Sequence, residues 1–323
     1  MTFSSQLGDF IRGIRRPLGF VAVSAVLTAV IFWSMRHYFL DQVPLALINA
    51  RSNYITFEIQ RDTVSKFLVH DAEVIDPTAF CEGFLDANNR FTGLVAPRKG
   101  TKVSYMRHRS HLQITLDTPD RLPTPELSVK SRPDCRMSGQ RLVLLVPQDR
   151  LNDHQPFPII GRGEIGAELA NPGLPVTGDD RFPANAVRRA PGPLLFGATV
   201  RLFGRTATLL DDGELYPISG AEFIVPRGSR LATNNVESTL VGTVMATGED
   251  EALDIEVTVE ATELQLYRVG AGSQVESLGA GAVARAFGNP ALVSILTCIA
   301  IFSFLVQTLC ALAGLIPEKQ KRR

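Results

Sequence analysis

The stretch between Pro290 and Pro317 constrains this chain more than any other. From Ala291 to Ile316, about 26 residues pass without a formal charge. At about 1.5 Å per residue, a helix of that length crosses a hydrocarbon layer roughly 30 Å thick, with some tilt. A helix on a water-soluble domain needs one apolar stripe, not apolar residues on every side. A membrane helix is therefore expected over 291–316. Gln307 is the one strongly polar side chain in it. It is a candidate contact to another membrane helix, because an amide in lipid gains about 0.5–2 kcal/mol from such a partner. Water or backbone near the inner leaflet is the competing way to satisfy it.

A second apolar run, Leu18 to Met35, follows Arg12, Arg15 and Arg16 and precedes Arg36. Its length of about 18 residues is at the short end for a span. Trp33, Tyr38 and Phe39 suit an interface, where amphipathic rings collect. The pair Arg15-Arg16 raises the rival reading of a cleaved export signal. Phe32-Trp33-Ser34-Met35 offers no small-residue cleavage site, and the run exceeds a usual signal core, so an uncleaved anchor is favoured. Lys319, Lys321, Arg322 and Arg323 follow the second run. The positive-inside rule then puts both ends in the cytoplasm and roughly 250 intervening residues on the other side. The expected location is an inner (cytoplasmic) membrane, with two spans and a central domain that is periplasmic or extracellular. No Asn-x-Ser/Thr acceptor occurs, which suits a bacterial envelope better than a eukaryotic secretory lumen.

The rest of the composition narrows the partners. Lys and Arg number 33 and Asp and Glu 33, giving a formal net charge of zero. No global field draws in nucleic acid, and no nucleic-acid partner is expected. With 323 residues, 45% of them hydrophobic, the chain can bury one large core or two small ones. Of four cysteines, Cys298 and Cys310 lie in the apolar run and act as small hydrophobes. Cys81 and Cys135 lie between the runs. They are a candidate disulfide, which an oxidising compartment would preserve. The alternative is two buried thiols with Cα atoms beyond about 7 Å.

Between the apolar runs, period-two patterning dominates. Ile55, Phe57 and Ile59 alternate with Thr56, Glu58 and Gln60, and Leu253, Ile255, Val257 and Val259 alternate with Asp254, Glu256, Thr258 and Glu260. Such alternation gives each strand one buried and one wet face. No amphipathic helices alternate with these strands, which disfavours a doubly wound parallel sheet. The expected fold class is mainly β: a two-span membrane protein whose extracytoplasmic domain is an antiparallel β-sandwich or barrel in two β-subdomains. Its expected parts are a cytoplasmic tail (1–17), the first span (18–35) and a short helical connector (36–50). A first β-subdomain (51–151), a Pro/Gly-rich connection (152–193) and a second β-subdomain (194–269) follow. A tether (270–290), the second span (291–316) and a basic tail (317–323) complete the chain. Seven prolines between Pro156 and Pro193 predict little regular structure in the connection. The tether could instead hold an interfacial helix using Val275, Leu278, Val283 and Phe287.

Motifs with chemical content are few. Gly161-Arg-Gly163-Glu-Ile-Gly166 matches G-x-G-x-x-G, but Asn171-Pro172-Gly173 stops any helix that a pyrophosphate site would need. It reads as an ordinary glycine loop. His108 and His111 would share a face on a helix but not on a strand, and Arg107 and Arg109 oppose a bound cation. Asp211-Asp212 and Glu249-Asp250 read as solvated turns, and His70 and His154 as isolated side chains. Pro226-Arg227-Gly228 reads as a strand ending. No nucleophile elbow, zinc-protease or Cys–His signature occurs. No catalytic, cofactor-binding or metal residue is assigned. The expected function is non-enzymatic: a membrane-anchored envelope scaffold or assembly subunit that presents a β-domain to protein partners and forms homo-oligomers. The alternatives are a two-span channel or sensor subunit, which should line a pore through Ser294, Thr297, Ser303 and Gln307, and an envelope hydrolase.

The topology is directly testable. A reporter fused after Arg323 should read cytoplasmic, and one inserted near Gly248 should read external. Accessibility of the Gly248 insertion from the cytoplasm alone would overturn both the topology and the compartment.

Overall fold

The computed structural model describes residues 43–61, 66–129, 134–166, 194–205, 214–233, 238–246, 251–260, 264–268 and 275–279, with isolated residues and short runs between 284 and 308. The chain divides into two units. One comprises 43–203 and 220–280, and the other 1–42, 204–219 and 281–323.

The larger unit is built from strands. In chain order they are β1 (Leu45–Ser52), β2 (Tyr54–Glu58), β3 (Phe67–Val74), β4 (Arg90–Ala96), β5 (Lys102–Arg107), β6 (His111–Asp117), β7 (Glu126–Ser128), β8 (Cys135–Arg136) and β9 (Arg141–Pro147). After a 3-10 turn at Gln148–Asp153 come β10 (Phe157–Ile165), β11 (Leu195–Arg205), β12 (Leu215–Val225), β13 (Arg230–Thr233), β14 (Leu240–Ala246), β15 (Leu253–Glu260), β16 (Leu264–Tyr267) and β17 (Val275–Leu278). The outer ends of β11 and β12 belong to the smaller unit.

The described pairings are all antiparallel and form one hydrogen-bonded system with two wings. In the first wing the order is β11–β1–β15–β14–β10. In the second it is β17–β16–β13–β10–β2–β5–β6–β9–β3–β4–β7–β8. Strand β10 belongs to both. Phe157 to Gly161 pair with β14, and Arg162 to Ile165 pair with β2. Glycine makes this crossover sterically feasible. A Cβ on Gly161 would collide with the Glu58 carbonyl, and one on Gly163 with the Thr56 carbonyl. Pro158 is tolerated because β10 pairs on only one side there, with β14, so a missing N–H costs no ladder bond.

The second wing curls back on itself. Phe67 on β3 and Tyr105 on β5 are three pairings apart, which in a flat sheet means about 14 Å. Their ring centroids are 6.4 Å apart. Phe57 and Phe157 join them, with centroids 5.8 Å and 5.5 Å from Tyr105. The Tyr105 hydroxyl, set among these rings, donates to the Pro158 carbonyl at 3.1 Å, so its polar end is satisfied. Burial drives the phenol's pKa upward.

The mainly β, antiparallel expectation holds, and β15 shows why. Leu253, Ile255, Val257 and Val259 are each at most 2% exposed, while the intervening residues face outward. Several finer expectations change. Residues 45–50 are strand rather than helical connector: Ala46, Ile48 and Ala50 are buried at alternate positions, and pairing with β11 and β15 overrides helix-favouring Leu and Ala. The Pro/Gly-rich 152–193 region contains β10, which bridges the wings. Strand β1 pairs with β11 and β15, and β10 with β2 and β14, so the expected halves interleave in one unit. The expected tether holds β17, with Leu278 buried.

In the smaller unit, Asn289 initiates a helix. Its side-chain oxygen accepts from the Leu292 N–H at 3.2 Å, and its carbonyl accepts from the Val293 N–H at 3.0 Å. The Tyr216 hydroxyl donates to the Arg285 carbonyl at 3.2 Å just before this cap. Described residues from 292 to 308 are helical. Among the described residues no helix is long and apolar enough to cross a membrane. The first expected span, 18–35, lies outside them, as do parts of the second.

The crossover in β10 yields a stability prediction. Gly161→Val should lower unfolding stability by about 1–3 kcal/mol, because the added atoms meet backbone, which cannot rotate away. Thermal unfolding of the full-length protein checks it; an unchanged midpoint would refute the tight approach.

Candidate functional site

The outer face of the first wing carries a cleft lined by residues of several strands. Register sets its composition. Asn49 lies between Thr199 and Glu256, and Arg51 between Gly197 and Asp254. Strand β14 adds Thr243 beside Glu256 and Met245 beside Asp254. Because Ala46, Ile48 and Ala50 point inward, these residues must point outward.

A cleft of about 690 Å³ opens over them, with Phe196, Ile224 and Met245 among its walls. Gly197 leaves backbone at its floor. Ile224 is 82% exposed and Met245 is 51% exposed, beside the polar Asn49, Thr199, Thr243 and Glu256, and exposed Val241 lies further along β14 on the same side. Arg51 and Asp254 pair at 3.3 Å, and Arg201 and Glu222 at 3.0 Å. Arg227 lies 5.4 Å over the Phe196 ring. Two protruding apolar side chains beside hydrogen-bonding groups of both signs suit a peptide or protein surface.

The cysteine pair lies elsewhere in the same unit. Cys81 and Cys135 are joined as a disulfide, with Cα atoms 6.5 Å apart, within the usual range. The link ties the segment after β3 to the short strand β8. Ser138 adds a hydrogen bond from its hydroxyl to the Thr78 carbonyl at 3.1 Å. Phe80, Phe84 and Met137 are buried around it.

The glycine motif lies in strand β10 rather than a loop, and each of Gly161 and Gly163 faces backbone at close range. Gly166 ends the strand with φ at +75°. His108 and His111 flank the β5–β6 turn, their rings 4.7 Å apart. Burial pushes the His111 pKa down to about 4, with His108 and Arg107 adding to the effect, and burial lowers that of His108. Both rings are thus neutral at neutral pH. Buried Arg107 donates to the His108 carbonyl at 2.6 Å. Among the described residues no group of three His, Cys, Asp or Glu side chains is placed to hold a metal. Asp211, Asp212, Glu249, Asp250, Ser303 and Gln307 lie outside the described residues. Pro226 to Ser229 form the turn after β12, where the Gly228 N–H donates to the Leu195 carbonyl at 2.7 Å.

Two residues without a role in the sequence come together. His70 and His154, with ring centroids 5.7 Å apart, meet across a bulge in β3. They are 84 positions apart, so no local pattern could have paired them. The exposed pair of the cleft was equally hidden, because Met245 lies on β14, whose register is set by β15 and β10, and Ile224 reaches the cleft from β12.

No family model, curated protein or solved structure matches the chain.

The disulfide carries a quantitative expectation. It closes a loop with a sequence separation of 54 residues. Chain entropy assigns such a closure up to roughly 4 kcal/mol. Cys81→Ser should therefore lower unfolding stability by up to that amount. Non-reducing peptide mapping of protein purified from its native source should recover the Cys81–Cys135 peptide; two freely alkylated thiols would contradict it.

Proposed function

We propose that this protein is a membrane-anchored envelope scaffold or assembly subunit. Two membrane helices, at 18–35 and 291–316, hold it in a cytoplasmic membrane. Its β-rich unit, a sandwich-like antiparallel assembly, lies outside and presents the first wing's outer face to a protein partner. The observation that carries this reading is the pair Ile224 and Met245, apolar and exposed in a cleft whose lining also holds Asn49, Arg51, Thr243, Asp254 and Glu256. Such side chains are the usual anchors of an interface, which draws most of its binding energy from a few buried contacts.

The anchoring part draws support from the uncharged runs and from the capped helix. Ile301, Phe304 and Leu305 are 56%, 68% and 52% exposed. Water solvates such a surface poorly, whereas lipid or a neighbouring helix covers it at no cost. The channel alternative draws less support. The Thr297 and Thr308 hydroxyls each donate to carbonyls four residues back, Val293 and Phe304, at 2.8 Å. Their protons are used within their own helix, which leaves only the oxygen lone pairs to face a pore.

Photo-crosslinking in intact cells tests the proposal. A benzophenone side chain at position 224 or 245 should capture a discrete partner, either another protein or a second copy of this chain. The same group at Arg121, exposed on a distant loop, should not. Ile224→Asp with Met245→Asp should reduce capture at a third cleft position, Thr243, without shifting the unfolding midpoint. Equal capture at all positions would sink the reading.

A further inference from the structure

The bulge in β3 poses a hydrogen-bonding problem that the chain solves with a histidine. Val69 pairs with Gly93 and Ala72 with Phe91, so His70 and Asp71 together oppose Thr92 alone. Asp71 adopts φ of +51°, in the left-handed region. Two backbone N–H groups leave the ladder here. Each is taken by a side chain: the Asp71 N–H donates to Thr92 Oγ1 at 2.9 Å, and the His70 N–H donates to His154 Nε2 at 3.0 Å.

The second bond fixes the state of His154. Nε2 accepts, so it carries no proton. Nδ1 lies 2.8 Å from the Arg150 carbonyl, which only accepts, so Nδ1 must carry the proton. Both bonds together require a neutral imidazole in one tautomer. A protonated ring has no acceptor for His70.

We propose that His154 is an acid-released latch, holding the turn Gln148–Asp153 against the β3 bulge and releasing it when the ring takes a second proton. The region between them is already a cleft of about 460 Å³, lined by His70, Asp71, Thr92, Arg150 and Asp153. Release of the turn enlarges it. The charged and titratable neighbours all come from the packed elements. His70 and Asp71 come from β3, and Arg90 from β4 donates to Asp71 at 2.7 Å. The turn itself contributes Asp149, Arg150 and Asp153, with Arg150 3.4 Å from Asp71 and 3.7 Å from Asp153. His111 of β6 stands opposite Pro147 at the turn's start. Asp71 pairs with Arg90 and Arg150 through its side chain, whereas the bond to the bulge backbone at His70 is made by His154 Nε2.

The direction of the pH effect follows. Burial lowers the His154 pKa, with repulsion from His70 adding to it. A group whose folded pKa lies below its unfolded value contributes stability above the unfolded value, near pH 6.5. That contribution is lost as pH falls toward and through the folded value.

Full-length protein in detergent, labelled with [15N]histidine, tests the proposal in two steps. At neutral pH, long-range proton–nitrogen correlations should place the His154 proton on Nδ1; a proton on Nε2 would overturn the latch. Hydrogen exchange of residues 67–75 and 148–157 is then followed as the His154 resonance titrates. Protection, corrected for intrinsic rates, should fall about tenfold per pH unit below the folded pKa. His154→Gln, whose amide supplies one acceptor and one donor at any pH, should keep that protection constant. An equal fall in the variant, or none in the wild type while His154 protonates, would refute the proposal. Should the variant fail to fold, the tautomer and the wild-type titration decide.

Discussion

The close approach of β10 to β2 is the constraint on which the rest of the larger unit depends. A β-fold must pair nearly all its buried backbone groups. Here one strand serves two wings, and its two ladders meet within one residue, between Gly161 and Arg162. A side chain at Gly161 or Gly163 would press on the carbonyls of Glu58 or Thr56. The same device recurs where Gly242 of β14 meets the Glu256 carbonyl of β15. Bare backbone at these points lets strands from both ends of the chain join in one assembly.

The corner between β1 and β2 follows the same logic with side chains. Asn53, 2% exposed, exchanges bonds with Leu194: its N–H donates to the Leu194 carbonyl at 3.0 Å, and its side-chain oxygen accepts the Leu194 N–H. Its own carbonyl accepts from Arg107 N–H at 2.7 Å. A polar residue thus closes a bend where the ladder cannot. At the β3 bulge, Thr92 and His154 fill the equivalent gap. The two differ in one respect: an amide is indifferent to pH, whereas an imidazole loses its acceptor on protonation. A structural bond and a pH-dependent one are therefore the same solution made with different side chains.

The exposed cleft has a different physical origin. Alternation along β1, β14 and β15 buries one face and leaves the other to solvent, where polar residues are expected. Thr199, Asn49, Glu256 and Thr243 obey that rule in a row across four strands. Met245 and Val241 on β14 break it, and Ile224 of β12 adds a third exposed apolar side chain. Departures of this kind from a locally consistent pattern are where function concentrates. The smaller unit has its own version, with exposed Ile301, Phe304 and Leu305 on a helix capped by Asn289.

What the sequence determined was whatever depends on neighbours a few residues away. Period-two alternation in 253–260 is enough to define a half-buried strand. An uncharged run at 291–316 defines where charge is excluded. Tertiary structure decided everything that depends on strand pairing. Leu45 to Ala50 has the residues of a helix, yet two ladders make it a strand. Residues 157–165 hold a proline and two glycines, yet an edge position and a close backbone contact make them the bridge between wings. His70 and His154 carry no local signal because a bulge and a turn bring them together from 84 positions apart. Pairing acts between groups remote along the chain, and local patterns carry no register for contacts at that distance.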